Sequence, residues 1–180
     1  MKKQIVVYYS KNGSNKFLAE KAAAALQCEI ISLKPRLNLF LFLLLSSATN
    51  ISLGNKSIKQ KICDYESIIL CGPIWMGQFI SPLSDFVKKY KKEIKQLSFM
   101  TCCGSTDLTK EDKFGYAHVF LKIRKILGEN CRVFEAFPID LILSEDQKKN
   151  DEAMMNTRLA GSNFTGDGKK RFDNFIHNIG

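Results

Sequence analysis

The sequence lacks several features that would indicate a membrane-spanning, secreted or nucleotide-hydrolysing protein. Its most apolar segment, Leu37 to Leu45, covers nine residues, whereas a helix that spans a bilayer needs about 20. The apolar run after Met1-Lys2-Lys3 is too short for the core of a signal peptide. Neither Gly-x-x-x-x-Gly-Lys-Ser/Thr nor Gly-x-Gly-x-x-Gly occurs, so the common fingerprints for phosphate loops and dinucleotides are absent.

The sequence also gives little indication of a metal site or of disulfide bonds. His118 and His177 have no neighbouring cysteine or acidic cluster, so neither is predicted to bind a metal. Because no export signal precedes the six cysteines, we expect a cytoplasmic protein with free thiols. We interpret the adjacent pair Cys102-Cys103 as structural, with a redox role as the alternative.

The composition is that of one globular domain with a basic surface. The chain has 180 residues, of which 45% are apolar and 25% are charged, and we expect residues 1–180 to form a single domain. The net charge is +9, and residues 1–90 hold 12 basic and 5 acidic residues, which gives +7 of that total. This excess favours encounters with acidic or anionic partners.

Short apolar runs alternate with segments of helical period along the chain. The runs are Ile5 to Tyr9, Glu29 to Leu33, Ser67 to Cys71, Leu97 to Cys102 and Arg132 to Phe137. Helical patterns begin near Ser14, Ser81-Pro82 and Tyr116, and a last one surrounds Phe172. The pattern of residues 140–168 leaves their secondary structure ambiguous. The alternation predicts a three-layer, doubly wound α/β fold with a five-stranded parallel sheet.

Leu37 to Leu45 stands out because it is apolar without periodicity, where a second crossover helix is expected. A buried helix or cover segment is the favoured interpretation, since short apolar runs usually belong to the core. A membrane-surface or partner-facing patch is the alternative, supported by basic residues nearby, which are Lys34, Arg36, Lys56, Lys59 and Lys61.

Three segments follow strand ends, where open parallel sheets bind ligands. Ser10 to Lys16 leads into a helix and is suited to a phosphate, although such a stretch also serves as an ordinary turn. Gly72 to Gly77 contains the only tryptophan, Trp75, which is placed for stacking. Thr101 to Ser105 is small enough to let a flat ligand approach the backbone. Together the segments predict a site for a flat, phosphorylated cofactor.

These segments resemble the loops of the flavodoxin family, whose first loop, Ser/Thr-x-x-Gly-x-Thr, holds the phosphate of FMN. Ser10, Gly13 and Asn15 stand at its defined positions here. The resemblance implies that Trp75 stacks on the isoalloxazine ring and that Thr101 to Ser105 contacts its edge. The cofactor-binding residues implied are Ser10, Lys11, Asn12, Gly13, Ser14, Asn15, Pro73, Ile74, Trp75, Met76, Gly77, Thr101, Cys102, Cys103 and Gly104.

The function that the resemblance implies is electron transfer to or from redox partner proteins, with FMN as the cofactor. No side chain need act as an acid or base, because the flavin does the chemistry. An electron-transfer flavoprotein is therefore favoured over a stand-alone oxidoreductase. The alternatives are an NAD(P)H-dependent flavin or quinone reductase of the same fold, an α/β domain without flavin, and a basic module that docks on nucleic acid or membrane. We expect no nucleic-acid partner, since lysine runs are usually solvated.

Overall fold

The computed structural model describes residues 3–49, 51–104 and 115–180. The strands are β1 (Gln4–Tyr8), β2 (Glu29–Ser32), β3 (Ser67–Cys71), β4 (Ile74–Trp75), β5 (Gln78–Phe79), β6 (Leu97–Cys103) and β7 (Cys131–Pro138). The helices are α1 (Ser14–Leu26), α2 (Phe40–Thr49), α3 (Ser81–Tyr90), α4 (Tyr116–Leu127), α5 (Glu145–Lys148), α6 (Asp151–Asn156) and α7 (Gly166–Ile179). Short 3-10 turns cover Ile62–Asp64, Gly128–Asn130 and Ile139–Ile142.

Five strands form one parallel sheet in the order β2-β1-β3-β6-β7, and helices cover both of its faces. The predicted three-layer, doubly wound α/β fold is confirmed. The chain runs outward from β1 to β2 and then crosses back to β3, on the other side of β1. The strand order therefore reverses between β1 and β3, and a crevice opens at their carboxyl ends.

The central strands are continuous apolar runs because both of their faces are buried. In β3, Ile68 and Leu70 pack into the hydrophobic cluster that includes residues of α2, α3 and α4. Their neighbours Ile69 and Cys71 pack into the opposite cluster, to which α1 and α7 contribute. Each central strand therefore contributes side chains to both cores. For this reason its sequence does not alternate between polar and apolar residues.

Helix α2 corrects the expectation of a buried cover segment over residues 37–45. The buried residues of α2 are Leu43, Ser46 and Ser47. Leu41 and Leu45 lie on the opposite side and are 70% and 64% exposed. The helix thus turns two hydroxyl groups towards the protein, and Leu41 and Leu45 towards solvent.

Hydrogen bonds to the start of α3 explain this orientation. The backbone N–H of Ser81 donates to Oγ of Ser47 at 2.7 Å, and the hydroxyl oxygens of Ser46 and Ser81 are 2.8 Å apart. Helix α3 has no side-chain cap of its own, because its N-cap residue is Ile80. Ser47 therefore satisfies a helix N–H group that would otherwise be buried without a partner.

Replacing Ser47 with alanine is expected to lower the free energy of unfolding by about 1 to 2 kcal/mol, since the Ser81 N–H loses its acceptor in a buried place. Urea denaturation followed by circular dichroism measures the loss. Thr49→Ala is the control, because the Thr49 hydroxyl is exposed and bonds only within its own segment. Equal losses in the two variants would contradict the capping role.

Two parts of the chain were not predicted in this form. Strands β4 and β5 make a hairpin whose two turn residues, Met76 and Gly77, have φ of 49° and 67°, a pattern typical of a type I′ turn. The ambiguous residues 140–168 form α5, α6 and the irregular segments around them. Across the described ranges, no helix combines the length and apolarity needed to cross a membrane.

Candidate functional site

A cleft of about 190 Å³ opens at the crevice where the strand order reverses. The described residues that line it are Ser10, Lys11, Asn12, Ser14, Asn15, Pro73, Ile74, Trp75, Cys102, Cys103, Gly104, Ile139, Thr157 and Arg158. They come from the ends of β1, β3 and β6 and from the connection after β7. The structure therefore brings the three predicted segments together in one wall.

Among the described residues, no side chain caps the N-terminus of α1. Gly13 is the N-cap residue, with φ of 95°, which favours glycine because side chains rarely adopt that conformation. Its N–H donates to Oγ of Ser10 at 3.1 Å, which closes the loop upon itself. The free backbone N–H groups of the first helical turn and the positive end of the helix dipole therefore suit an anion.

Asn15 is buried and joins the first loop to the third. Its Oδ1 accepts the backbone N–H of Cys102 at 2.8 Å, and its Nδ2 donates to the Cys102 carbonyl at 3.4 Å. Ser14 is held in a similar way, because its Oγ accepts the N–H of Leu159 at 3.1 Å. Ser14 and Asn15 both border the cleft, but the side-chain atoms described here are already hydrogen-bonded to neighbouring segments and hold the walls of the cleft together.

Four of the predicted binding residues are not in the wall. Gly13 contributes its backbone conformation instead. Met76 and Gly77 form the tip of the β4–β5 turn, and the Met76 side chain is 65% exposed. Thr101 is completely buried within β6, where its neighbours fill both cores. Ser105, the last residue of the third segment, lies outside the described residues.

The sequence did not single out three lining residues that follow β7, and two of these lie in the stretch 140–168, whose pattern is ambiguous. The three residues are Ile139, Thr157 and Arg158. The Arg158 side chain donates through Nη1 to the Thr157 carbonyl at 2.8 Å, and its own carbonyl accepts Nδ2 of Asn163 at 2.8 Å. No periodicity or motif singles out this arginine, since only the path of the chain across the sheet brings it to the cleft.

The cleft is electrostatically suited to an anion. Lys11 and Arg158 line it, and none of its described lining residues is a carboxylate. The uncapped end of α1 adds a partial positive charge. The two cationic side chains and the helix N-terminus are all positive and lie around one small volume, so a negatively charged group is favoured there.

Trp75 forms the aromatic side of the cleft. It lies in β4 and is half-buried. The Tyr9 ring packs edge-on against it with centroids 6.2 Å apart, and the Phe40 ring lies 5.0 Å away at 58°. The indole is therefore held from two sides while it still borders the cleft, where a flat ligand can stack on it.

The thiols at the strand ends are not activated. Burial raises the pKa of the Cys102 thiol from 9.0 to about 12, a larger effect than the opposing ones of Ser14 and Arg158. Burial also raises the pKa of Cys71 and of Cys103. Since the thiolate is the reactive form, these groups are poor nucleophiles at neutral pH, which agrees with the structural interpretation of Cys102 and Cys103.

The free energy of unfolding is expected to fall as pH rises from about 9 towards about 12. Over this range the unfolded chain releases the Cys102 proton while the folded protein retains it, so the contribution is complete below pH 9 and lost through pH 12. Urea denaturation at a series of pH values measures this dependence. Cys102→Ala should make the decline less steep, whereas Cys63→Ala, which removes an exposed thiol, should not. Equal slopes in the two variants would refute this assignment.

No family model matches the chain, and no curated protein matches it either. Solved structures, in contrast, do match this chain. A flavoprotein from Lactobacillus acidophilus NCFM, in complex with FMN, superposes with a TM-score of 0.59 at 17% identity, covering 76% of this chain and 91% of that one. The NMR structure of the apo-form of the flavoprotein from that organism gives 0.54 at 16% identity, covering 78% and 95%.

A longer match extends over almost the whole chain. A short-chain flavodoxin associated with a non-canonical PDU bacterial microcompartment superposes with a TM-score of 0.52 at 11% identity, and it covers 99% of this chain and 97% of its own. At such identities the comparisons establish the architecture alone. Together with the strand order β2-β1-β3-β6-β7, they show that this chain has a flavodoxin-like fold.

Proposed function

We propose that this chain binds FMN in the cleft and acts in electron transfer. The observation that carries the proposal is that cationic and aromatic groups line the same cleft. An uncapped helix N-terminus, Lys11 and Arg158 suit a phosphate, and Trp75 suits a flat ring system. The flavoprotein from Lactobacillus acidophilus, which has the same fold, was solved with FMN.

The residues present fit the parts of FMN. Ser10, Lys11 and the first N–H groups of α1 would hold the phosphate, with Arg158 as a second cation. Trp75 would support one face of the isoalloxazine ring. Gly104 leaves room for the ring edge, because a Cβ added there would meet no atom of the described residues within 4 Å.

Electron transfer is the chemistry that the wall supports best. Bound FMN supplies the redox reaction, while the protein binds and orients it. Among the described lining residues there is neither a histidine nor a carboxylate to move a proton. The cleft of about 190 Å³ is smaller than pockets that enclose a ligand, which measure about 300 to 1,000 Å³. FMN would therefore stay partly accessible to a partner protein.

Titration of the purified full chain with FMN, FAD and riboflavin, followed by flavin fluorescence, tests the binding. We expect FMN to bind at least about tenfold more tightly than riboflavin, because FMN offers a phosphate to the cationic groups that line the cleft and riboflavin does not. The advantage should shrink as salt is added. Absence of FMN binding, or equal affinity for riboflavin, would refute the proposal.

Mixing the FMN-loaded protein with NADPH under anaerobic conditions tests the role in electron transfer. We expect the flavin absorbance at visible wavelengths to persist until a redox partner protein is added. Rapid bleaching by NADPH alone would instead assign the chain as an NAD(P)H-dependent reductase. Riboflavin-free FMN and a heat-denatured sample serve as controls for reaction of the free cofactor.

A further inference from the structure

The exposed apolar residues of the described chain are concentrated in one segment of the sequence, which contains α2. Nine large apolar residues are exposed, and six of them lie within residues 39–53. We call these six the outer apolar surface. They are Leu39, Phe40, Leu41, Leu45, Ile51 and Leu53. Isolated exposed leucines need no explanation, but a cluster of this size marks an interaction site.

The protein architecture enforces this exposure. Ser46 and Ser47 are anchored on the first residue of α3, so α2 cannot rotate its leucines inward without leaving the Ser81 N–H unsatisfied. Leu43, on the same side as the serines, is only 2% exposed. The outer apolar surface is therefore a constant feature of the folded chain.

Basic side chains surround this surface. Nζ of Lys11 lies 4.9 Å from the centre of the Phe40 ring, at the N-terminal end of α2. At the other end, Ala48 shares a depression with Lys88, Lys122 and Lys125. Beside Leu53, a groove is lined by Arg36, Lys56, Lys88 and Lys89, with Asp85 as its one described carboxylate. The sequence between Glu29 and Asp64 contains no acidic residue.

We propose that the outer apolar surface docks on an anionic lipid membrane. Leucine and phenylalanine on a convex helix, with lysine and arginine around them, is the pattern of a helix that lies in the bilayer interface. The apolar side chains would enter the headgroup region while the cations meet anionic lipids. A second copy of the chain is disfavoured as the occupant, because two faces with the same basic surroundings would repel each other.

The outer apolar surface lies next to the cleft, so docking through this surface would also position the cleft. Phe40 belongs to the outer apolar surface and also packs on Trp75, which lines the cleft. Docking through α2 would therefore hold the mouth of the cleft near the lipid headgroups. This inference does not depend on the proposed function, since vesicle binding can be measured without FMN.

Co-sedimentation of the full chain with lipid vesicles tests the proposal. We expect binding to vesicles of phosphatidylglycerol and phosphatidylcholine, weaker binding as salt is raised, and little binding to phosphatidylcholine alone. The double variant Leu41→Ser, Leu45→Ser should lower the partition coefficient roughly tenfold or more. Leu121→Ser is the matched control, because Leu121 is 58% exposed on α4 and should have no such effect.

Charge variants test the electrostatic part separately. Arg36→Glu with Lys56→Glu should weaken binding roughly tenfold or more, on the basis of about 1 kcal/mol for each cation near the surface. Lys169→Glu with Lys170→Glu, on α7 at the opposite face of the sheet, should change it much less. Circular dichroism on every variant checks that the fold is retained.

Three results would overturn the proposal. The first is wild-type protein that does not bind the anionic vesicles. The second is a Leu41→Ser, Leu45→Ser variant that binds them as well as wild type does. The third is self-association of the wild type, measured by light scattering, that this double variant abolishes, since the occupant would then be a second copy.

Discussion

Replacing Asn15 with alanine is expected to lower the free energy of unfolding by about 2 to 4 kcal/mol. The Asn15 side chain is only 4% exposed, and it pairs with both the N–H and the carbonyl of Cys102. Alanine would leave the Cys102 N–H without an acceptor in a place that water reaches poorly, and the Cys102 carbonyl would keep only the 3.5 Å bond from Oγ1 of Thr101. Urea denaturation measures the loss directly.

The neighbouring Asn12 supplies the control for this result. It belongs to the same loop and also borders the cleft, but its side chain is exposed. Asn12→Ala should therefore change the free energy of unfolding by no more than about 0.5 kcal/mol. Because Asn15 joins the first loop to the third, Asn15→Ala should in addition weaken FMN binding. Similar stability losses in the two variants would show that Asn15 does not hold the walls together.

Replacing Trp75 with alanine is expected to weaken FMN binding by about 1 to 3 kcal/mol, which is roughly a 5- to 150-fold increase in Kd. The indole borders the cleft, and Tyr9 and Phe40 hold it in place, so its loss removes a preformed stacking surface. Fluorescence titration with FMN measures the change. Trp75→Phe should recover most of the affinity, because it retains an aromatic face.

A second comparison separates stacking from damage to the hairpin. Met76 is the next residue, and its exposed side chain is not among the described residues that line the cleft, so Met76→Ala should leave the Kd for FMN unchanged. Thermal denaturation of all three variants reports whether the β4–β5 turn is intact. If Trp75→Ala binds FMN as tightly as Met76→Ala does, the ring is stacked elsewhere.

The strands and the position of the cleft could be predicted because they depend on short stretches of sequence. The run at Ser67–Cys71 is apolar throughout, since β3 is buried on both faces, and a parallel sheet binds ligands at its carboxyl edge whatever its sequence. Ser10, Trp75 and Gly104 follow three strand ends and lie in one wall for that reason.

The partners of individual side chains could not be predicted in the same way. The position of Asn15 in the first loop predicts a ligand-binding residue. Its side chain instead forms a hydrogen bond with the backbone of Cys102, which is 87 positions away. Arg158 comes to the cleft from a region without periodicity. Both contacts join segments that are distant along the chain, and no local pattern encodes their meeting.

The amino-acid order alone determined the number of parallel strands, the alternation with helices and the edge at which ligands would bind, because burial on two faces and helical periodicity act over a few residues at a time. Only the tertiary structure decided which side of α2 meets the protein. Local hydrophobicity favours burial of its leucines, but the unsatisfied N–H of Ser81 needs an acceptor, and Ser47 supplies it. A buried polar group without a partner costs more than an exposed leucine does, and so Leu41 and Leu45 face outward.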